Sequence, residues 1–316
     1  AQDCNKWPLT QCIGNGLDFT KNKGQSAHFM NLRNNTTLNT ITTAMTVEMW
    51  IKPDLELGKR NYFAGKWGPT VDKSDVWQLY YDVNNEIVFE LNSPNTELKS
   101  IDNTIAKSNP ISINGEWHHL AAVFDGSQNK AIIYLDGVQI AEATNPTYPI
   151  SILKISGNDT QFGRANELTN DNSYRTFKGV MDEIKIWNRA LPQAEIICEK
   201  DKRRNGNEPN LIAYFRCNED PGVYSICDVT GNNDAKLLSG LTTTKTKNDR
   251  PEYRPFIITN PTLVDTIKCI TRKKYTITVT DTSLCGSRAY IWITPEFRKY
   301  FQYSGSYVTL PPNTPV

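Results

Sequence analysis

Short runs of Val, Ile, Tyr, Phe and Trp alternate with polar residues along the chain, and clusters of Asn, Thr, Gly and Pro interrupt them at close intervals. A two-residue period bounded by turn formers is the pattern of strands in a sandwich or barrel. It predicts strands over 46–52, 76–81, 86–91, 117–124, 130–135, 138–143 and 180–187. Asp82-Val83-Asn84-Asn85 separates one pair of runs and Asp136-Gly137 another. Both are hairpin signals, because Asn, Asp and Gly tolerate the positive φ of tight turns. Only 191–200 reads as a helix, with Pro192 tolerated in its first turn. Further on, 211–215 is another strand, 218–233 is turn-rich, and 200–207 and 242–250 are polar enough to be loop and linker. Alternation resumes at 274–280 and 289–294.

This divides the chain into a Cys-containing arm at 1–15, a main sandwich at 16–200, a flanking strand and linker at 201–250, and a small β domain at 251–316. About 60 residues is marginal for independent folding, so the last segment is read as an immunoglobulin-like domain, short of complete, that a disulfide would help.

With 35 basic and 34 acidic side chains the net charge is +1, which argues against nucleic acid or an anionic membrane as the main partner. No apolar run approaches the roughly 18 residues of a membrane span, so direct membrane insertion is not expected. The seven Cys are scattered, with no C-x-x-C, against a zinc cluster or redox pair. Cys4 and Cys12, Cys217 and Cys227, and Cys269 and Cys285 are close enough in sequence for local disulfides, the habit of exported proteins. The competing reading is a cytosolic protein with buried thiols. Seven is odd, so one thiol is left over or its partner lies in another chain, and the connectivity stays open. The opening Ala1-Gln2-Asp3-Cys4 has neither a basic region nor an apolar stretch. A signal peptide is therefore expected to have been removed, and the chain to be a segment of a longer surface protein with further domains.

Three ordered stretches carry a family likeness. They are Thr46-Val47-Glu48-Met49-Trp50-Ile51-Lys52-Pro53; Trp117-His118-His119-Leu120-Ala121-Ala122-Val123-Phe124-Asp125-Gly126 with Ile133-Tyr134-Leu135-Asp136-Gly137; and Phe162-Gly163-Arg164 leading to Gly179-Val180-Met181-Asp182-Glu183-Ile184-Lys185-Ile186-Trp187. The series resembles the laminin-G-like and pentraxin-like domains of the concanavalin A-type lectin and glucanase superfamily. The resemblance implies an all-β fold, an antiparallel jelly-roll sandwich, with calcium often at one rim and a glycan or cell-surface protein as partner.

Strand alternation puts Asp182 on the face of Val180, Ile184 and Ile186, where a carboxylate needs a cation, a basic side chain or backbone N–H groups. The resemblance favours a calcium shared with Gly16 and Asp18 of the first strand; capping of backbone amides without metal is the alternative. Lys21 follows that strand where the family often has an Asp-Gly pair, and could replace the cation. Asp125-Gly126 and Asp136-Gly137 read chiefly as turns. Adjacent His118 and His119 face opposite sides of a strand and cannot share an ion.

Related glucanases carry alternating acids on one strand that flank the glycosidic bond. Asp182 and Glu183 are adjacent instead, expected on opposite faces, and no Gly-x-Ser-x-Gly elbow or phosphate loop occurs. The expectation is a non-catalytic recognition or adhesion module, secreted or at the cell surface. The alternatives are a carbohydrate-targeting accessory domain of an enzyme and a spacer without ligand. Candidate ligand contacts are Trp67, Trp77, Tyr81 and Asp171, with Tyr80, Tyr148 and Tyr174 as further aromatics able to stack on sugar rings.

Overall fold

The computed structural model describes residues 15–21, 28–67, 76–92, 104–145, 153, 157–168, 174–200, 202, 204–219 and 221–245, with two short segments at 289–291 and 308–310. The strands of the first unit begin with β1 (Asn15–Asp18), β2 (Phe29–Leu32), β3 (Ala44–Pro53), β4 (Asn61–Lys66), β5 (Trp77–Tyr81), β6 (Ile87–Leu91) and β7 (Thr104–Lys107). β8 (His118–Asp125), β9 (Lys130–Leu135) and β10 (Val138–Ala143) form a meander, followed by β11 (Thr160–Phe162), β12 (Arg164–Leu168), β13 (Tyr174–Thr176) and β14 (Gly179–Trp187). After the helix α1 (Gln193–Glu199) come β15 (Leu211–Phe215), β16 (Ser225–Ile226), β17 (Ala235–Leu238) and β18 (Thr242–Lys245).

Sixteen of these strands form two eight-stranded antiparallel sheets, and β12 and β13 pair with each other in a two-stranded sheet. The first runs β10-β9-β8-β3-β14-β1-β18, with β15 also paired to β14; the second runs β16-β17-β2-β11-β4-β5-β6-β7. Alternation sends Met45, Val47, Met49 and Ile51 of β3 into the same apolar core as Trp77, Leu79 and Tyr81 of β5 and Phe89 and Leu91 of β6. Burial of these large side chains is the main favourable term, about 25 cal/mol per Å2 of apolar surface.

A second apolar layer covers the outer side of the first sheet, where Leu191 and Ile196, around α1, pack on Ala121, Val123, Trp187 and Tyr214. Inside this layer lies an ionic network. Glu48 accepts from Trp187 Nε1 at 3.0 Å and meets Lys185 Nζ at 3.5 Å and His119 Nε2 at 3.2 Å. Lys185 also donates to the Glu199 carbonyl at 2.6 Å, and Trp50 Nε1 to the Lys200 carbonyl at 2.7 Å, which fastens the end of α1 to the sheet.

The expected sandwich is present, and the stretch 201–245 adds strands to both sheets: β15 pairs with β14, β17 with β2, and β18, where the sequence reads as a linker, with β1. Cys227 takes part in a disulfide and Cys217 is a buried thiol at 3.6 Å from the Phe215 carbonyl, so the short Cys217–Cys227 staple is not formed. The second unit, residues 254–316, is described only at β19 (Ala289–Ile291) and β20 (Val308–Leu310), which pair antiparallel. The run at 274–280 and the immunoglobulin-like reading lie outside the described residues.

Candidate functional site

A row of residues crosses the outer side of the second sheet from edge to edge. In register, Ser225 stands beside Lys236, then Asn31, Gln161, Gly65, Gln78, Glu90 and Ile105. The neighbours of each along its strand, such as Met30, Phe162, Ala64, Leu79 and Phe89, belong to the core, so alternation turns the row to the outer side, where Asn31, Gln161 and Gln78 are themselves buried beside an apolar cluster of Tyr62, Tyr80, Val88 and Ala165 and Glu90 is half-buried. With strands about 4.8 Å apart, the stretch from Asn31 to Glu90 spans roughly 19 Å.

The row is rich in groups that both donate and accept. Gln78 Nε2 donates to Glu90 Oε2 at 2.6 Å, and Tyr80 OH reaches the same oxygen at 3.4 Å. The Arg60 guanidinium lies 4.4 Å from the Tyr80 ring centroid. Burial, and then the nearby Glu90 charge, push the Tyr80 hydroxyl above its ordinary pKa. Arg164 donates to Gln161 Oε1 through Nε at 3.4 Å and Nη2 at 3.3 Å while covering the Phe29 ring at 3.4 Å. Gly65 in the middle of the row has no side chain because the Tyr62 hydroxyl occupies its place: a Cβ there would lie 2.0 Å from that oxygen.

At one end of the sandwich the row continues into a rim of amides. Asn31 Nδ2 donates to Asp159 Oδ2 and the Asn34 backbone N–H to Asp159 Oδ1, each at 2.9 Å. Lys66, the last residue of β4, is 6% exposed, and its ammonium donates to Asn34 Oδ1 at 2.7 Å and Asn39 Oδ1 at 3.1 Å. Burial depresses its pKa to about 8, against the opposing charge of Asp159. Lys66, Asn39 and Thr160 line a cavity of about 10 Å3 whose other walls include Leu38, Val76 and Trp77.

The residues expected to contact ligand are placed differently. Trp77 and Tyr81 are 3% and 2% exposed and belong to the core, and Trp67, just past β4, is 7% exposed. A buried ring offers no face to a sugar, so these three are corrected to core residues, Trp77 keeping one edge on the cavity wall. Asp171 lies outside the described residues. Gln78 and Tyr80 hold the outward positions of the same strand, and Asn31, Glu90, Gln161 and Lys66 were not singled out at all. The available signal was a polar residue recurring once in each of several short apolar strands.

Asp182 is also corrected. Glu183 has φ of 50°, and β14 carries a bulge between Asp182 and Lys185. The extra residue shifts the phase of the strand. Met181, Ile184 and Ile186 face the core, while Asp182 pairs with Trp50 on the opposite, outer side, fully buried. Its Oδ1 accepts from the Glu183 N–H at 2.7 Å. Glu183, expected on the other face, turns to the same layer, where Tyr214 OH donates to it. Asp18 accepts from the Thr20 N–H and hydroxyl at 2.9 and 2.5 Å, and Gly16 pairs with Thr244 of β18. Calcium takes six to eight oxygens. Asp18 and Asp182 each spend a carboxylate oxygen on a neighbouring residue, and no group of three or more His, Cys, Asp or Glu side chains able to hold a metal occurs among the described residues. Asp125 and Asp136 serve their turns, the latter accepting from His118 Nδ1 and the His119 N–H at 2.8 Å each.

The sandwich agrees with the comparison to known proteins. A family model of the concanavalin A-like lectin/glucanases superfamily, of laminin-G type, matches residues 24–197. The chain belongs to this superfamily. Among solved structures, a candidate carbohydrate-binding protein from Bacteroides ovatus aligns with a TM-score of 0.55 and 17% identity over 74% of this chain. This superfamily member spans 60% of the length of that structure. A heptameric SAP-like pentraxin from Limulus polyphemus aligns at TM-score 0.44 and 15% identity, covering 63% of this chain and 85% of its own. The CBM40 of a Ruminococcus gnavus IT-sialidase aligns at 0.41 and 16%, covering 58% and 91%. At these identities the likeness is one of fold. No curated protein matches by sequence.

Proposed function

We propose that this lectin/glucanase-superfamily member is a non-catalytic carbohydrate-recognition module of a secreted or cell-surface protein. Its contact surface is the amide rim at one end of the second sheet together with Glu90 on its outer side. The observation that carries this reading is the set of half-buried polar side chains at Asn34, Asn39, Asp159 and Glu90. Amide and carboxylate groups suit the hydroxyls of a sugar chain, each of which donates and accepts. The Bacteroides ovatus neighbour, a candidate carbohydrate-binding protein, supports the same class of ligand. Hydrolysis finds no support in the adjacent acids, since Asp182 and Glu183 are both buried under the outer layer of the first sheet. No described helix is long and apolar enough to cross a membrane.

The test is a glycan array probed with the intact chain and with Glu90→Gln, which keeps the shape and removes the charge. Binding of a defined glycan set by the parent, weakened about tenfold in the variant, is the expected outcome for the loss of charge-assisted hydrogen bonds. A blank array for the parent would favour a spacer. Binding confined to insoluble polysaccharide would favour a targeting domain for an enzyme.

A further inference from the structure

Asn-Gly occurs three times in the chain, at Asn15-Gly16, Asn114-Gly115 and Asn205-Gly206. The backbone nitrogen after an asparagine can attack its side-chain amide, and glycine leaves that nitrogen open because it carries no β-carbon. The fold treats the three pairs differently. Asn15 is buried, its Nδ2 donates to the Glu219 carbonyl at 2.8 Å, and Gly16 is held in β1 against Thr244. Asn114 is clamped to Leu55, Oδ1 accepting from its N–H at 2.8 Å and Nδ2 donating to its carbonyl at 3.3 Å. The Gly115 N–H is bound to the Pro53 carbonyl at 2.8 Å.

Asn205, between α1 and β15, is exposed, and its side-chain amide has no partner among the described residues. The Glu208 carboxylate accepts from the Asn205 N–H at 3.0 Å through Oε1 and from the Gly206 N–H at 2.9 Å through Oε2. A carbonyl, as at Gly115, does not take up a proton, whereas a carboxylate within hydrogen-bond reach does. Gly206 has φ of 87°, and a Cβ there would lie 2.2 Å from the Val229 carbonyl oxygen, so the position admits only glycine.

We propose that Asn205 is a site of spontaneous deamidation with Glu208 as the proton acceptor. The Gly206 nitrogen bonds to Cγ of Asn205 while its proton passes to Glu208. The Cγ–Nδ2 bond then breaks, and Nδ2 leaves with that proton as ammonia. Water opens the resulting cyclic imide: cleavage at Cγ leaves aspartate, and cleavage at the main-chain carbonyl leaves isoaspartate. Isoaspartate lengthens the main chain between Gly206, wedged against Val229, and Arg204, which pairs with the buried Glu199 and accepts from Arg216 at its carbonyl. The reaction is independent of the carbohydrate reading.

The experiment is incubation of the intact chain at neutral pH, with peptide mass spectrometry at intervals to follow loss of ammonia, and isoaspartate content measured at each Asn-Gly pair. Asn205 is expected to convert at least about tenfold faster than Asn15 or Asn114, whose hydrogen bonds must first break. Glu208→Gln keeps the shape of the side chain and takes up no proton, so it should slow conversion at Asn205 and leave the other two pairs unchanged. Asn205→Gln should abolish the ammonia lost from this segment. Conversion at Asn205 no faster than at Asn114, or a rate undiminished in Glu208→Gln, overturns the inference and leaves the carbohydrate reading untouched.

Discussion

Glu48 and Lys185 face each other across neighbouring strands, and neither reaches solvent. Burial pushes the Glu48 carboxyl up, but the Lys185 charge, the His119 contact and the Trp187 N–H outweigh it and hold the pKa at about 2. Removing one partner of such a pair leaves a buried charge, so Lys185→Met is expected to cost about 3–5 kcal/mol in urea unfolding. Because the folded pKa lies below the ordinary value of 4.5, the contribution of Glu48 is complete above that value. It is lost as pH falls towards about 2. Lys66 gives the opposite limb. Its folded pKa of about 8 lies below the ordinary 10.5, so the unfolded chain holds more protons between the two, and stability should rise with pH across that window. Chemical unfolding of Lys66→Met at pH 7.5 and pH 10 should show this rise reduced. Single residues were the least legible scale. Alternation separated Trp77 and Tyr81 from Gln78 and Tyr80, yet only the facing sheet decides which set goes inside. The large aromatics, with more area to bury, went there.

Strands were legible because their period needs no partner to be seen. The runs at 130–135, 138–143 and 211–215 are β9, β10 and β15, and the helix differs from its expected span only by frayed ends. Two features were hidden. β18 is made of Thr and Lys, polar enough to read as a linker, and is a strand because β1 offers it an open edge. The bulge in β14 depends on Glu183 adopting positive φ, a conformation that pattern gives no reason to expect of Glu. That one residue moved Asp182 from the core face to the outer face. Close packing also sets an element-scale expectation for β4. Gly65→Ala places a methyl against the Tyr62 hydroxyl and 2.8 Å from the Trp77 carbonyl. The loss should be about 1–3 kcal/mol by thermal unfolding. Tyr62→Phe in the same chain should recover part of it, since the carbonyl clash remains.

On the scale of the whole molecule, the two sheets do different work. The outer side of the first is sealed by α1 and the ionic layer beneath it, whereas the second has only the small cluster of Tyr62, Tyr80, Val88 and Ala165 on its outer side and keeps Glu90 and the amides of the rim half-buried. With Asp18 accepting from Thr20 and Asp182 from the Glu183 N–H, chelator is expected to leave both the melting temperature and glycan binding unchanged, as calorimetry and array binding would show. Chemical-shift mapping with a glycan found on the array tests the central claim most directly. Perturbed amides should cluster at Asn34, Asn35, Asn39, Lys66, Glu90 and Asp159. Perturbations confined to the first sheet or to the second unit, with these six unmoved, would contradict the account.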